Sequence, residues 1–285
     1  MTRTDEKNSQ PKPLPRKGLR FLYRTLPGRA VLKLAVQPPL SNLAGAFLNG
    51  EFSCRLIPTF IEKNGIDLEE VAGDEFRSFN AFFTRRLLPG SRPVEEEPLA
   101  LVSPCDGWLS AFPVEEDSRF SVKGSCYSLC ELLHSETLAE KFRGGSVYIF
   151  RLTPADYHHY IFFDSGKRGK HCFIPGVFHT VDPVVHGSAS VYHTNSREVT
   201  LLHTEHFSLA VQVEVGALLV GKICNLPDIT AFRRGDEKGY FEFGGSTVML
   251  IFQKDTVKPD EELFRLSREG QERKVRLGEK VGVHF

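Results

Sequence analysis

The spacing of apolar positions changes near residue 100 of the chain. Before it, "SFNAFFTRRL" sets Phe79, Phe82, Phe83 and Leu87 three and four residues apart, the spacing of one helical face. The stretch from Ile57 to Leu88 therefore predicts helix, with Asp67 and Ser78 as N-caps. After Leu101 the runs are short. "VYIFRL", "CFIPGVFHTV", "FSLAVQVEVGALLVGKICNL" and "STVMLIF" are rich in Val, Ile and Phe and are cut by Gly and Pro, as strands are. Strands and helices do not alternate, and neither G-x-G-x-x-G nor G-x-x-x-x-G-K-[ST] occurs, so a nucleotide-binding fold has no support. The predicted class is α+β: N-terminal helices followed by a largely antiparallel β core completed by the C-terminal segment.

Charge divides the chain in a second way. The 285 residues sum to zero, yet the first 50 carry nine bases against two acids. From Gly18 to Gly50 the bases are interleaved with Leu, Phe and Val, and Pro27 and Pro38-Pro39 limit any helix to short pieces. That mixture suits a surface lying on anionic lipid, so residues 1–50 are read as a membrane-docking arm, with a polar, disordered tail over the first 14 or so. Residues 51–285 form the remaining domain. No run of about 18 apolar residues occurs, so no transmembrane helix is expected. Six cysteines are scattered without a secretory signal, which predicts reduced thiols and a cytosolic setting. Cys126 and Cys130 have no second pair to complete a zinc pattern, and no metal is expected.

The segment "FEFGGSTVMLIF" places Gly244, Gly245, Ser246 and Thr247 against a buried strand. Glycine there marks a bulge, or it clears the approach of the Ser246 hydroxyl to the preceding carbonyl. Other candidates for chemistry are Asp106 in an Asp-Gly turn, His158 and His159 after "VYIFRL", and His179 in "GVFHTV". Adjacent strand histidines face opposite ways, so one of His158 and His159 enters a given site and the other is a surface residue. His179 alternates with apolar neighbours and is able to point inward. Asp, His and Ser together suggest an activated nucleophile, but Val248 breaks the G-x-S-x-G elbow of ordinary serine hydrolases.

With "SFNAFFTRRLLPGSRP", "VSPCDGWLS", "RLTPADYH", "VEVGALLVGKI", "RRGDEKGYFEFGGSTVMLIF" and "RLGEKVG" in this order, the chain resembles the pyruvoyl-dependent phosphatidylserine decarboxylase proenzymes. The resemblance implies self-cleavage at Gly245-Ser246 into a chain ending at Gly245 and a partner chain 246–285, held as a heterodimer. Ser246 becomes a covalent pyruvoyl group, which forms a Schiff base with phosphatidylserine and yields phosphatidylethanolamine and CO2. It further implies peripheral attachment to the cytoplasmic face of the membrane and no nucleic-acid partner. Asp106 matches the family's charge-relay aspartate, and His158 the first histidine of its Asp-Tyr-His-x-x-His pattern. The second falls on Ile161, which cannot take a proton. His179 is the expected substitute base, with His159 second. Alternatives are an uncleaved, lipid-binding relative and a decarboxylase of a soluble amino acid.

Overall fold

The structure is a computed structural model and describes residues 38–73, 75–122, 125–177, 179, 191–216, 222–227, 229–244 and 246–285, with Thr25. The tail and most of the arm predicted over 1–50 lie outside these residues, as does Gly245. Among the described residues the strands are, in chain order, β1 (Ala100–Val102), β2 (Gly107–Pro113), β3 (Arg119–Val122), β4 (Ser125–Ser128), β5 (Ser146–Leu152), β6 (His159–Ile161), β7 (Gly166–Ile174), β8 (Arg197–Thr204), β9 (Leu209–Gly216), β10 (Ile223–Asn225), β11 (Ala231–Phe232), β12 (Glu237–Phe241), β13 (Ser246–Phe252), β14 (Arg273–Val275) and β15 (Lys280–Val283). Eight build one sheet in the order β11-β7-β8-β9-β13-β5-β2-β14, with every neighbouring pair antiparallel. A smaller sheet, β10-β12-β6, and the pairs β1-β15 and β3-β4 complete the β structure. The α+β class read from the sequence is the one observed.

β13 lies in the middle of the large sheet, paired to β9 on one side and β5 on the other. All seven of its residues are buried, which explains its apolar sequence: both faces are covered. Side chains alternate, so Ser246, Val248, Leu250 and Phe252 share one face and Thr247, Met249 and Ile251 the other. The first face packs into a core with Tyr160 and Phe241 of the small sheet, Phe162 just beyond β6, and Leu263 of the helix Glu261–Arg268. The second packs against the β3-β4 pair and the short helices Leu129–Leu133 and Glu136–Glu140.

The stretch from Ile57 to Leu88 is two helices rather than one continuous run. Ile57–Asn64 ends at Gly65, whose φ of 61° is the left-handed C-cap conformation. Phe79–Phe83 begins at Ser78, whose side chain accepts from the Ala81 N–H, as expected of that cap. Asp67 instead accepts from the Glu69 N–H in a local turn outside any helix. Phe82 and Phe83 are fully buried, each burial contributing about 2–3 kcal/mol. Phe79 and Phe83 also form a separate cluster with Leu48, Ile57, Phe60 and Phe243. The end of the arm thus touches the segment just upstream of Ser246.

Strand β7 stops short of His179. Pro175 has no N–H to continue the ladder, and Gly176 lies so close to the backbone of helix Val191–Thr194 that a Cβ would fall 2.3 Å from the Thr194 carbonyl oxygen. His179 is therefore not a strand residue, and alternation does not decide where its ring points.

Candidate active site

The four residues predicted to be catalytic collect at one end of the large sheet. β13 starts where β5 and β9 finish, so Ser246 stands opposite Leu152 and Gly216. β2 begins at the same end, with Trp108 opposite Arg151, and Asp106 lies two residues before it. His158 follows the end of β5 by six residues, and its carbonyl accepts from the Phe241 N–H at the end of β12. His179 is tied in through Asn195. Its N–H donates to Asn195 Oδ1 (3.0 Å), while Asn195 Nδ2 donates to the carbonyls of His179 and Gly216, both at 2.8 Å.

Ser246 is buried, and its Oγ has no hydrogen-bond partner among the described residues. A buried hydroxyl normally has one, and leaving it unmatched costs about 1–3 kcal/mol. Gly244, two residues earlier, has a φ of 153°, a backbone state close to glycine-only. The Thr247 hydroxyl is also buried and unpartnered, but strand alternation places it on the opposite face.

His158 is fully buried, with its ring 4.0 Å from that of Phe83. Phe83 in turn touches Phe243, 5.0 Å between centroids. His158 Nδ1 lies 2.9 Å from the Asp156 carbonyl, which can only accept, so Nδ1 carries the proton. Nε2 is then the lone-pair nitrogen, and it has no partner among the described residues. Burial, reinforced by the nearby Arg85 guanidinium, pulls the imidazole pKa down to about 3 and keeps the ring neutral near pH 7. Tyr160, next but one along the chain, packs with Val248 and Leu250 on the Ser246 face of the sheet. By alternation with Tyr160 the His158 ring faces the layer that holds the Ser246 hydroxyl, although neither atom bonds the other in this structure. Partial burial also lowers the pKa of His179.

Asp106 departs from the expected relay. Its carboxylate is gripped by Arg92, with Nε and Nη2 donating at 2.9 and 2.8 Å, and Oδ1 accepts from the Leu277 N–H at 2.8 Å. Among the described residues no histidine bonds to it. His159 does face away from His158, but it is not a surface residue, being only 4% exposed. It is stacked between Tyr157 and Tyr240 while its nitrogens meet Glu237 (2.8 Å) and the Thr84 carbonyl (3.0 Å). Both ring nitrogens are therefore already engaged. Ile161 borders a cleft of about 170 Å³ shared with Tyr157, Arg92 and Leu277. The sequence reading missed Arg92 and Asn195. Arg92 stands in the "GSRP" of a matched block, but Asn195 had no signal, because its role depends on two main-chain segments distant in sequence.

Known proteins resemble this chain over most of its length. The family described as phosphatidylserine decarboxylase matches residues 79–283. Over 265 residues the chain is 42% identical to phosphatidylserine decarboxylase proenzyme 2 of Clostridium acetobutylicum, covering 93% of this chain and 91% of that protein. It is 40% identical over 271 residues to the proenzyme of Ruminiclostridium cellulolyticum, with 93% and 90% covered. The proenzyme of Clostridium perfringens is 38% identical over 275 residues, with 93% of each chain covered. The chain belongs to the phosphatidylserine decarboxylase family.

Proposed function

We propose that this protein is a self-processing phosphatidylserine decarboxylase that cuts itself between Gly245 and Ser246 and makes phosphatidylethanolamine and CO2 with the pyruvoyl group derived from Ser246. One observation carries the reading: the buried, unpartnered Ser246 hydroxyl at the head of a central strand, just beyond the glycine-only step at Gly244. In a stable interior such a hydroxyl would be matched; as a nucleophile it needs its lone pairs available.

In this reading His158 takes the hydroxyl proton at Nε2, with the Asp156 carbonyl fixing its tautomer as a carboxylate does in a Ser-His-Asp triad. Oγ adds to the Gly245 carbonyl carbon, the C–N bond breaks, and the proton passes to the leaving nitrogen, giving an ester. Loss of the Ser246 α-proton expels the Gly245 carboxylate from Cβ. The dehydroalanine left at 246 takes up water and releases ammonia. An imidazole with so low a pKa is a weak base, but cleavage happens once per chain and does not need to be fast. His179, linked through Asn195 to the strand opposite Ser246, is the other candidate base.

A pyruvoyl group fits at 246, since the orphaned buried hydroxyl is the nucleophile whose departure with the Gly245 carboxylate would leave it behind. When present it supplies an electrophilic carbonyl for a primary amine and an electron sink during loss of the carboxylate. The chain's own contribution is enclosure. Phe83, Phe243, Tyr160 and Phe241 keep water out, and pairing to β5 and β9 holds residues 246–285 in place after the cut. The two chains stay together as a heterodimer.

Intact mass under denaturing conditions tests the reading. The wild type should give a chain ending at Gly245 and a blocked 246–285 fragment, and Ser246→Ala should stay whole and inactive. A second reading, an uncleaved lipid-binding protein, is favoured by Ile161 and by the engagement of Asp106 with Arg92. An intact wild-type chain that binds lipid without decarboxylating it would establish that reading instead.

A further inference from the structure

The layer that holds Ser246 and His158 also contains a buried charged network that the mechanism above does not use. Glu214 of β9 and Lys238 of β12 are almost completely buried and meet at 2.8 Å. Asn225 joins both: its Oδ1 accepts from Lys238 at 2.7 Å and its Nδ2 donates to Glu214 Oε2 at 3.2 Å. The same Nδ2 also donates to Glu198, which His171 contacts through Nε2 at 3.1 Å. His171 Nδ1 meets the Thr200 hydroxyl at 2.9 Å. Lys238 thus bonds Glu214 directly and connects to Glu198 only through Asn225. Arg168 acts on Lys238 only through space.

Two acceptors in this layer remain unmatched. Glu214 Oε1 and Gln212 Oε1 are buried and have no donor among the described residues. They stand two residues apart on one face of β9, opposite Val248 and Leu250. This is the Ser246 face, and one strand repeat of about 7 Å separates Glu214 from the residue opposite Ser246. Two unfilled acceptors, one of them a carboxylate oxygen, together call for a cationic donor with more than one N–H. A primary ammonium meets that description.

We propose that Glu214, seconded by Gln212, is the ammonium-receiving site beside residue 246: it orients the incoming amine headgroup and accepts a proton from it. The step balances as R–NH3⁺ plus carboxylate giving R–NH2 plus carboxylic acid, leaving the amine lone pair available for the carbonyl at 246. Lys238 and Asn225 hold Oε2, so that Oε1 is the oxygen presented. This inference rests on the proposed function and assigns the residue that selects for a primary amine.

The experiment compares wild type, Glu214→Gln and the double variant Glu214→Gln/Lys238→Met, which removes both charges and leaves no buried ion unpaired. Each is first scored for cleavage by intact mass. Each is then mixed with phosphatidylethanolamine in detergent micelles and borohydride, and covalent capture of the amine on the 246–285 fragment is read by mass. KM and kcat for phosphatidylserine follow. Both variants should cleave normally, capture the amine at least about tenfold less and show a raised KM, as loss of one charged hydrogen bond implies. Capture equal to wild type in either cleaved variant overturns the inference, and so does failure of both variants to cleave, which would make the network purely structural. An uncleaved wild type would instead overturn the proposed function.

Discussion

At the scale of single residues, His158 has the most to reveal, because its burial ties chemistry to stability. Its pKa falls from 6.5 in the unfolded chain to about 3 in the fold. Between these values the unfolded state binds the extra proton, so this contribution to stability is complete above about pH 6.5 and is lost as the pH drops toward 3. At pH 5 the loss is about 2 kcal/mol relative to pH 7. Denaturant titrations at the two pH values should show it in Ser246→Ala and not in Ser246→Ala/His158→Gln, both of which remain uncleaved. Base removal typically costs about 10²–10⁴-fold, so His158→Ala should slow cleavage by a factor of that order. If His158→Ala matures at the wild-type rate while His179→Ala does not, the base is His179. His159→Ala should cleave normally, since both nitrogens of that ring are already engaged. Gly244→Ala imposes a Cβ on a φ of 153°, at a cost of about 1–3 kcal/mol. It should slow cleavage and lower the melting temperature.

At the scale of elements, the clamp on Asp106 joins the start of β2 to the C-terminal segment through Arg92 and the Leu277 N–H, and Glu70 extends it to Arg276. Arg92 is raised further above its usual pKa, its carboxylate bonds outweighing burial. Asp106→Asn and Arg92→Met should each destabilise by about 3 kcal/mol, because each leaves a partner uncompensated. The double variant should cost less than the sum, and a thermodynamic cycle by denaturant unfolding measures the difference. Purely additive losses would mean that the two side chains act independently. Elements of this kind divide what the sequence shows from what it hides. Strand β13 was legible because the five-residue apolar run 248–252, entered from Gly244-Gly245, reads as a strand buried on both faces. Ser78 was legible as a cap because capping is local. The Asp106 clamp was not, since residues 70, 92, 106 and 277 meet only after the sheet has formed. His179 was misplaced on a strand because the Pro175-Gly176 break depends on a helix some 15 residues later.

At the scale of the whole molecule, the end of the predicted arm and the proposed cleavage site lie at one corner of the fold. Helix Pro38–Leu48 closes the predicted arm, and its Leu48 packs with Phe79 and Phe83 around Phe243, next to the Gly-Gly-Ser step. On the outside of the same corner Leu43, Phe47 and Phe52 are 68, 58 and 78% exposed. Among the described residues no helix is long and apolar enough to cross a membrane. Under the proposed function, these exposed apolar side chains are the ones to meet the surface of a bilayer. The bases preceding it, Arg16, Lys17, Arg20 and Arg24, would each add roughly 1 kcal/mol on an anionic leaflet. Apolar insertion resists salt, whereas the basic contribution weakens as the Debye length shrinks. Vesicles rich in phosphatidylserine or phosphatidylglycerol should therefore pull the protein down at low salt and release much of it near 0.5 M. Charge reversal at the four bases should abolish the salt dependence and weaken binding by two orders of magnitude or more. Phe47→Ser/Phe52→Ser should lower binding equally at low and high salt, by about tenfold or more given roughly 25 cal/mol per Å² of apolar area withdrawn from water. All three proteins should still cleave at Gly245-Ser246, because none of these substitutions touches the interior layer. Binding that ignored both sets of changes would mean that the lipid meets another face of the protein.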